Sequence, residues 1–155
     1  PVPASVPTVN LTPSDLLKTY NFYILWFAFF IGSGAGLMVI GSIAPLATKS
    51  MGEWAFIAVA ILAVGNATGR IVAGVMSDKI GRARTLFILM LFQSLLMFVA
   101  SQVVGSTYES AVLLISVATL IGFNYGSNLA LFPSLAKDIG GLKNFGVNYG
   151  ALFTA

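Results

Sequence analysis

Four apolar runs, Phe22–Ile43, Trp54–Met76, Thr85–Val104 and Ala111–Ala136, fix most of what this chain can fold into. At 1.5 Å per residue the first makes a helix about 33 Å long, enough to cross the hydrocarbon of a bilayer. In that medium every backbone N–H and C=O must be paired internally, and long runs without strict alternation do this as helices. Composition agrees: charged residues make up 8% of the chain and hydrophobic ones 57%, whereas soluble domains carry roughly 25% charged residues. The expected fold is all-α and transmembrane.

There is no cysteine and no histidine. That removes disulfides, thiolate metal sites and thiol nucleophiles, and with them the usual metal ligand and near-neutral proton carrier. Neither a metal nor a cofactor is expected. A membrane-embedded enzyme is disfavoured, because no nucleophile–base pair or metal constellation is visible. The net charge of +3 lies mostly in short loops, so it speaks to membrane orientation and not to nucleic acid. Lys18, Lys79, Arg82, Arg84, Lys137 and Lys143 fall on one side of the spans, and only Lys49 on the other. The positive-inside rule places residues 1–20, 77–84 and 137–144 in the cytoplasm, for a protein of the cell inner membrane.

Residues 1–15 hold four of the six prolines and little to bury, the composition of a linker. Thr12, Pro13, Ser14 and Asp15 then supply helix-start chemistry, with Ser14 or Asp15 able to cap a short interfacial helix ending near Tyr20. Tyr20, Tyr23 and Trp26 suit the headgroup level. Pro45 is expected to end the first span, and Lys49 to Glu53 to form an outer loop. The turn at 77–84 and the small loop Gly105–Ser110, carrying Glu109, separate the later spans. Pro133 bends or ends the fourth, and a fifth begins near Phe145 and runs to Ala155. Residues 16–155 are expected to form the bundle, as a stretch of a longer polytopic protein.

Arg70 interrupts the second run. A guanidinium at membrane depth costs at least about 2.5–3.5 kcal/mol on insertion scales, so something must offset it. Helical projection puts Ala55, Ala63, Asn66, Ala67, Arg70, Ala73, Gly74 and Ser77 on one side, and Ile57, Ile61, Val64, Ile71, Val72 and Val75 on or near the other. The small and polar face goes to protein or water and the branched face to lipid, which points Arg70 inward. Three readings compete: Arg70 holds an anionic substrate, pairs with a carboxylate elsewhere in the protein, or reaches along its helix to the surface. No Asp or Glu lies inside the four runs, so none can neutralise Arg70 locally or relay protons. That favours an anion site, and exchange over proton coupling.

In the fourth run Asn124 and Asn128 stand one turn apart on one side, beside Tyr125, with Gly122 and Gly126 facing roughly the reverse way. With Asn66, these amides either hydrogen-bond an oxygen-rich solute or bond helix to helix, the latter worth only about 0.6 kcal/mol per contact. The glycine pairs Gly32/Gly36, Gly65/Gly69 and Gly122/Gly126 are the spacing of close helix packing.

The turn GVMSDKIGRAR resembles the loop motif of the major facilitator superfamily, which joins the second and third helices of each six-helix half. Gly74, Asp78, Lys79, Gly81, Arg82 and Arg84 stand at its marked positions, while Ala83 departs from a strict basic pair. Asp78 is expected to sit at a helix N-terminus and be bridged by the basic residues, pinning the cytoplasmic helix ends in one of two states. From about Leu11 to Ala155 the chain also resembles the second half of the oxalate:formate antiporter family, in NFYILWFAFFIGSGAGLMVIGSIAPLA, GNATGRIVAGVMSDKIGR and FNYGSNLALFPSLAKDIGGLKNFGVNYGALFTA. The resemblance implies helices seven to ten and the start of eleven. It implies that Arg70 matches the family's dicarboxylate-holding arginine on helix eight, and that Tyr125 matches an aromatic lining the site on helix ten. The family's helix-eleven lysine has no counterpart in Phe145–Ala155. With one cation, a monocarboxylate such as formate, lactate or pyruvate is as plausible as oxalate.

The expected function is exchange of small organic carboxylates by alternating access. Its expected partners are the anion, the lipid bilayer and an N-terminal six-helix half of the same protein. The rival is a channel or structural membrane oligomer in which Arg70 lines a pore or an interface.

Overall fold

The computed structural model describes residues 10–104 and 111–155. The proline-rich start over 1–9 and the 105–110 loop with Glu109 lie outside the described residues. Among the described residues six α-helices follow one another: α1 Pro13–Leu16, α2 Tyr20–Met51, α3 Ala55–Ile80, α4 Arg82–Val104, α5 Ala111–Gly140 and α6 Phe145–Leu152. Four stretches among the described residues are long and apolar enough to cross a membrane: Tyr20–Lys49, Gly52–Ile80, Arg82–Gln102 and Ile115–Gly140. The α5 stretch is 56% buried, against 22–28% for the other three, so α5 is the enclosed helix and the others leave most of their surface to their surroundings.

The helices run further than the apolar runs suggest. Pro45 lies inside α2, and Pro133 inside α5. A proline frees the carbonyl one turn earlier and removes one N–H, and neighbouring hydroxyls and helices satisfy such gaps in membrane helices. The outer loop shrinks to a 3-10 turn, Gly52–Trp54, entered through Gly52 at φ 58°. The basic turn expected over 77–84 is not a loop. Ser77–Ile80 finish α3, Arg82 starts α4, and only Gly81 stands between them. Gly81 has φ 91° and ψ 149°, a conformation essentially reserved for glycine. Its N–H donates to the Ser77 carbonyl at 3.0 Å. Its own carbonyl accepts the Thr85 N–H at 3.1 Å and the Thr85 hydroxyl at 2.9 Å.

The chain divides into two compact units: the part up to Phe30 with Phe132–Ala155, and Ile31–Leu131. In the first, Thr12 caps α1, and its hydroxyl donates to Asp15 Oδ2 at 2.6 Å. Ser14 and Asp15 are inside that helix, so the cap falls before the residues expected to provide it. Leu16 is buried under α1. The preceding residues are strapped to the α5–α6 corner: Leu11 N–H donates to Gly140 O (3.0 Å), and Leu11 O accepts from Asn144 Nδ2 (3.0 Å) and Asn148 Nδ2 (3.2 Å). Phe29 packs on Phe132 with ring centroids 4.4 Å apart, and Trp26 Nε1 donates to Thr154 Oγ1 at 3.1 Å.

The second unit is built on two apolar clusters, Leu96 with Val117 and Ile121, and Leu62 with Ala118, both touched by Val39 of α2. These carry α2, α3, α4 and α5 around the residues that matter for function.

Candidate functional site

The site begins at a seam of bare backbone between α3 and α5. The buried stripe of α3 is Ala58, Leu62, Gly65, Gly69, Ala73 and Ser77. A Cβ added at Gly65 would stand 2.6 Å from the Thr119 carbonyl, and one at Gly69 would collide with the Phe123 carbonyl. From the other side, Gly122 lies on Leu62, and a Cβ at Gly126 would collide with the Asn66 carbonyl. Two glycine pairs therefore interlock, each giving the facing backbone its room. Ser127 fastens the seam: its hydroxyl reaches the Gly69 carbonyl at 3.0 Å and the Phe123 carbonyl of its own helix at 2.9 Å.

This seam sets the direction of Arg70. The residue follows Gly69, so it leaves the helix about 100° from the packed stripe. It is exposed, and its guanidinium makes no ion pair with any described residue. The projection grouped Arg70 with Ala73 and Ser77. Those two lie in the packed stripe, while Arg70 shares an open flank with exposed Ala63 and Ala67 and with half-buried Asn66 and Gly74. Exposed Val64, Ile71, Val72 and Val75 mark the remaining, aliphatic face. Arg70 thus sits on a flank of small residues, distinct from both the packed stripe and the aliphatic face.

The polar residues of α5 point elsewhere. Asn124 and Asn128 are fully buried, on the side opposite the glycine seam. Asn124 Nδ2 donates to Gln93 Oε1 of α4. Asn128 packs on α2, where its Nδ2 would stand 3.0 Å from a Cβ at Gly32. The Tyr125 ring covers Gly36 in the same way. Gly32 and Gly36 are thus the floor on which α5 side chains rest. Five buried polar atoms of α2, α4 and α5 have no hydrogen-bond partner among the described residues: Ser33 Oγ, Gln93 Nε2, Asn124 Oδ1 and both amide atoms of Asn128. Each such group costs about 1–3 kcal/mol when left unsatisfied.

The predicted site residues therefore separate into two places. Arg70 and Asn66 lie one turn apart on α3, while Asn124, Tyr125 and Asn128 lie on α5 toward α2 and α4. Gln93 and Ser33 were not singled out as site residues. The available signal was an amide inside an otherwise lipid-type run, which must find a partner in hydrocarbon. Of the loop motif, Gly81 makes the turn, and Lys79, Arg84 and Asp78 are exposed. Asp78 lies in the last turn of α3, against that helix's dipole, and makes no ion pair with a described residue.

No protein-family model matches the chain. It is 28% identical over 151 residues to an uncharacterized MFS-type transporter, YhjX, of Escherichia coli strain K12, covering 93% of this chain and 36% of that protein. It is also 28% identical over 153 residues to the oxalate:formate antiporter of Oxalobacter formigenes, covering 94% of this chain and 35% of the relative. The chain thus spans about a third of the length of the curated relatives it matches. Both relatives are named as transporters. Among the described residues four helices are able to span a membrane, and the likeness runs along nearly the whole chain: this is an all-α chain similar to an MFS-type transporter and to an oxalate:formate antiporter.

Proposed function

We propose that this chain forms one wall of a secondary carrier that exchanges small organic carboxylates, oxalate, formate or another monocarboxylate, by alternating access. The observation that carries the reading is Arg70: a permanent cation on a spanning helix, without a carboxylate partner among the described residues and flanked by small side chains. A carboxylate accepting from the guanidinium would offset its desolvation with charge-assisted bonds. Asn66, one turn away, would add a neutral donor, and Asn124, Tyr125 and Asn128 would serve the solute further along its path. The likeness to an oxalate:formate antiporter supports this substrate class. The four apolar runs 22–43, 54–76, 85–104 and 111–136 hold no Asp or Glu, which favours exchange of one anion for another over proton coupling. The opposite wall is assigned to a six-helix half of the same protein. The basic segments, with Gly74, Asp78, Lys79, Gly81, Arg82 and Arg84, are assigned to the cytoplasmic side of the inner membrane.

The test is uptake of labelled oxalate and formate by the full-length protein in proteoliposomes. Saturable uptake that requires unlabelled carboxylate on the far side, and that Arg70→Ala abolishes, is the expected result. Flux without saturation or far-side substrate would establish a channel, and unchanged exchange in Arg70→Ala would remove Arg70 from the site.

A further inference from the structure

We infer that the α2–α5 contact at Gly32, Gly36, Tyr125 and Asn128, next in sequence to the enclosed Ser33 hydroxyl, is a gate, closed in this structure, which parts to let water and polar solute reach the amides of α5. This deepens the carrier reading and rests on it, while assigning a role to Gly32, Ser33 and Gly36, which that reading does not use. The two sides of α5 are built differently. Toward α3, contact is backbone on backbone, and Ser127 bonds across to Gly69. Nothing there can slide without breaking both. Toward α2, the contact is side chain on glycine: the Tyr125 ring on Gly36, and the Asn128 amide with the Met90 thioether on Gly32. Such a contact is held by van der Waals attraction alone and can separate.

The polar accounting supports the same division. Elsewhere in the spans hydroxyls are bonded to carbonyls in their own helix, as at Ser42, Thr68, Ser94, Ser116 and Thr119. Ser33 is not. Asn128, which faces Gly32, is fully buried with neither amide atom bonded, and the Asn124–Gln93 pair leaves one acceptor and one donor unmet. Unmet donors and acceptors together favour a guest that both gives and takes hydrogen bonds, namely water or a hydroxyl- or carboxyl-bearing solute. A purely structural amide pair would be satisfied when closed. This one is satisfied only when open, which biases the seam toward parting.

Single cysteines in the full-length protein, reacted with a water-soluble thiol reagent, test the gate. Ser33→Cys is nearly isosteric, and Asn128→Cys reports on the amide itself. If the seam opens to a minor state, both thiols should react between about a thousandth and a tenth as fast as Arg84→Cys on the exposed turn, and clearly faster than Ile121→Cys in the apolar core. Thiols at 33 and 128 as inert as the one at 121 would overturn the gate. Asn128→Leu adds an independent readout: it should raise the unfolding temperature while slowing exchange, because it removes unmet groups from the closed form only. A lowered unfolding temperature would show that the amide is satisfied when closed, and would also overturn the inference. Neither outcome depends on which anion is carried or on Arg70, whose role the exchange assay judges separately.

Discussion

Ser127 Oγ stands 3.0 Å from the carbonyl oxygen of Gly69, a hydrogen bond from α5 to the backbone of α3 at the residue preceding Arg70. The bond needs both glycine pairs, because only bare backbone lets the helices approach so closely. Arg70 is therefore aimed by its neighbour's missing side chain as much as by its own position in the sequence.

Gly69→Ala and Gly126→Ala should each be severe. Overpacking typically costs about 1–3 kcal/mol, and here the obstructing atoms are backbone carbonyls that cannot rotate away, so the loss should reach or exceed the top of that range. Gly34→Ala meets nothing within 4 Å and should be neutral or stabilising. Thermal unfolding of the purified full-length variants checks the contrast, and equal effects at positions 34 and 69 would contradict the seam.

Gly81→Ala should destabilise the α3–α4 corner by about 1–3 kcal/mol, since its φ of 91° and ψ of 149° suit no side chain. Gly81→Asn should not rescue it, because this conformation is not the left-handed helical one that asparagine tolerates. Unfolding temperatures of the two variants decide the matter. Recovery in the asparagine variant would mean that the corner adopts a different turn.

Arg70→Lys should recover only part of what Arg70→Ala removes. A hydrogen bond to a charged group is worth about 1.5–3 kcal/mol, or roughly a tenfold to 150-fold change in affinity. Lysine keeps the charge but loses the fork that grips a carboxylate at two points. Exchange rates and half-saturation concentrations for oxalate and formate would show this, with the larger loss expected for the dicarboxylate.

Lys49→Cys and Lys79→Cys should react with a membrane-impermeant maleimide from opposite faces of sealed vesicles, position 79 from the cytoplasmic face. Both side chains are exposed near helix ends, and the chain has no native cysteine to confuse the signal. Labelling of both from one face would overturn the orientation drawn from the loop charges.

Asn148→Leu should loosen the strap over the α5–α6 corner. Asn148 is fully buried, and its amide reaches the carbonyl of Leu11 at 3.2 Å and that of Gly140 at 3.5 Å. Removing it takes one bond from each carbonyl, while Leu11 O keeps the Asn144 amide and Gly140 O keeps the Leu11 N–H, so the expected cost is about 0.5–1.5 kcal/mol. Faster proteolysis near residues 10–17 in the full-length variant is the measurement.

The helices were legible because hydrophobic length is a one-dimensional property, and the basic segments between them suggested an orientation. Helix ends were less so. Pro45 and Pro133 signal termination in water, yet the helices continue through both, since neighbours in a membrane bundle compensate a missing bond. At Arg70 the period was right and the phase was off. Counting small residues as the packed face merged two adjacent flanks, and only the partner helix shows that Gly65 and Gly69 mark the centre of contact while Arg70 lies beside it. The opposite facing of the α5 glycines and asparagines followed from spacing. Their partners did not, because the Gln93–Asn124 bond joins residues 31 apart in sequence, and nothing local encodes it.

Two long spans meeting at Gly81 with no residue to spare are coupled like the arms of a compass. Neither α3 nor α4 can advance through the bilayer like a piston without dragging the other's end, since no slack exists to take up the travel. Any displacement of α3 along its own axis is therefore one that α4 must share, through the single residue at Gly81.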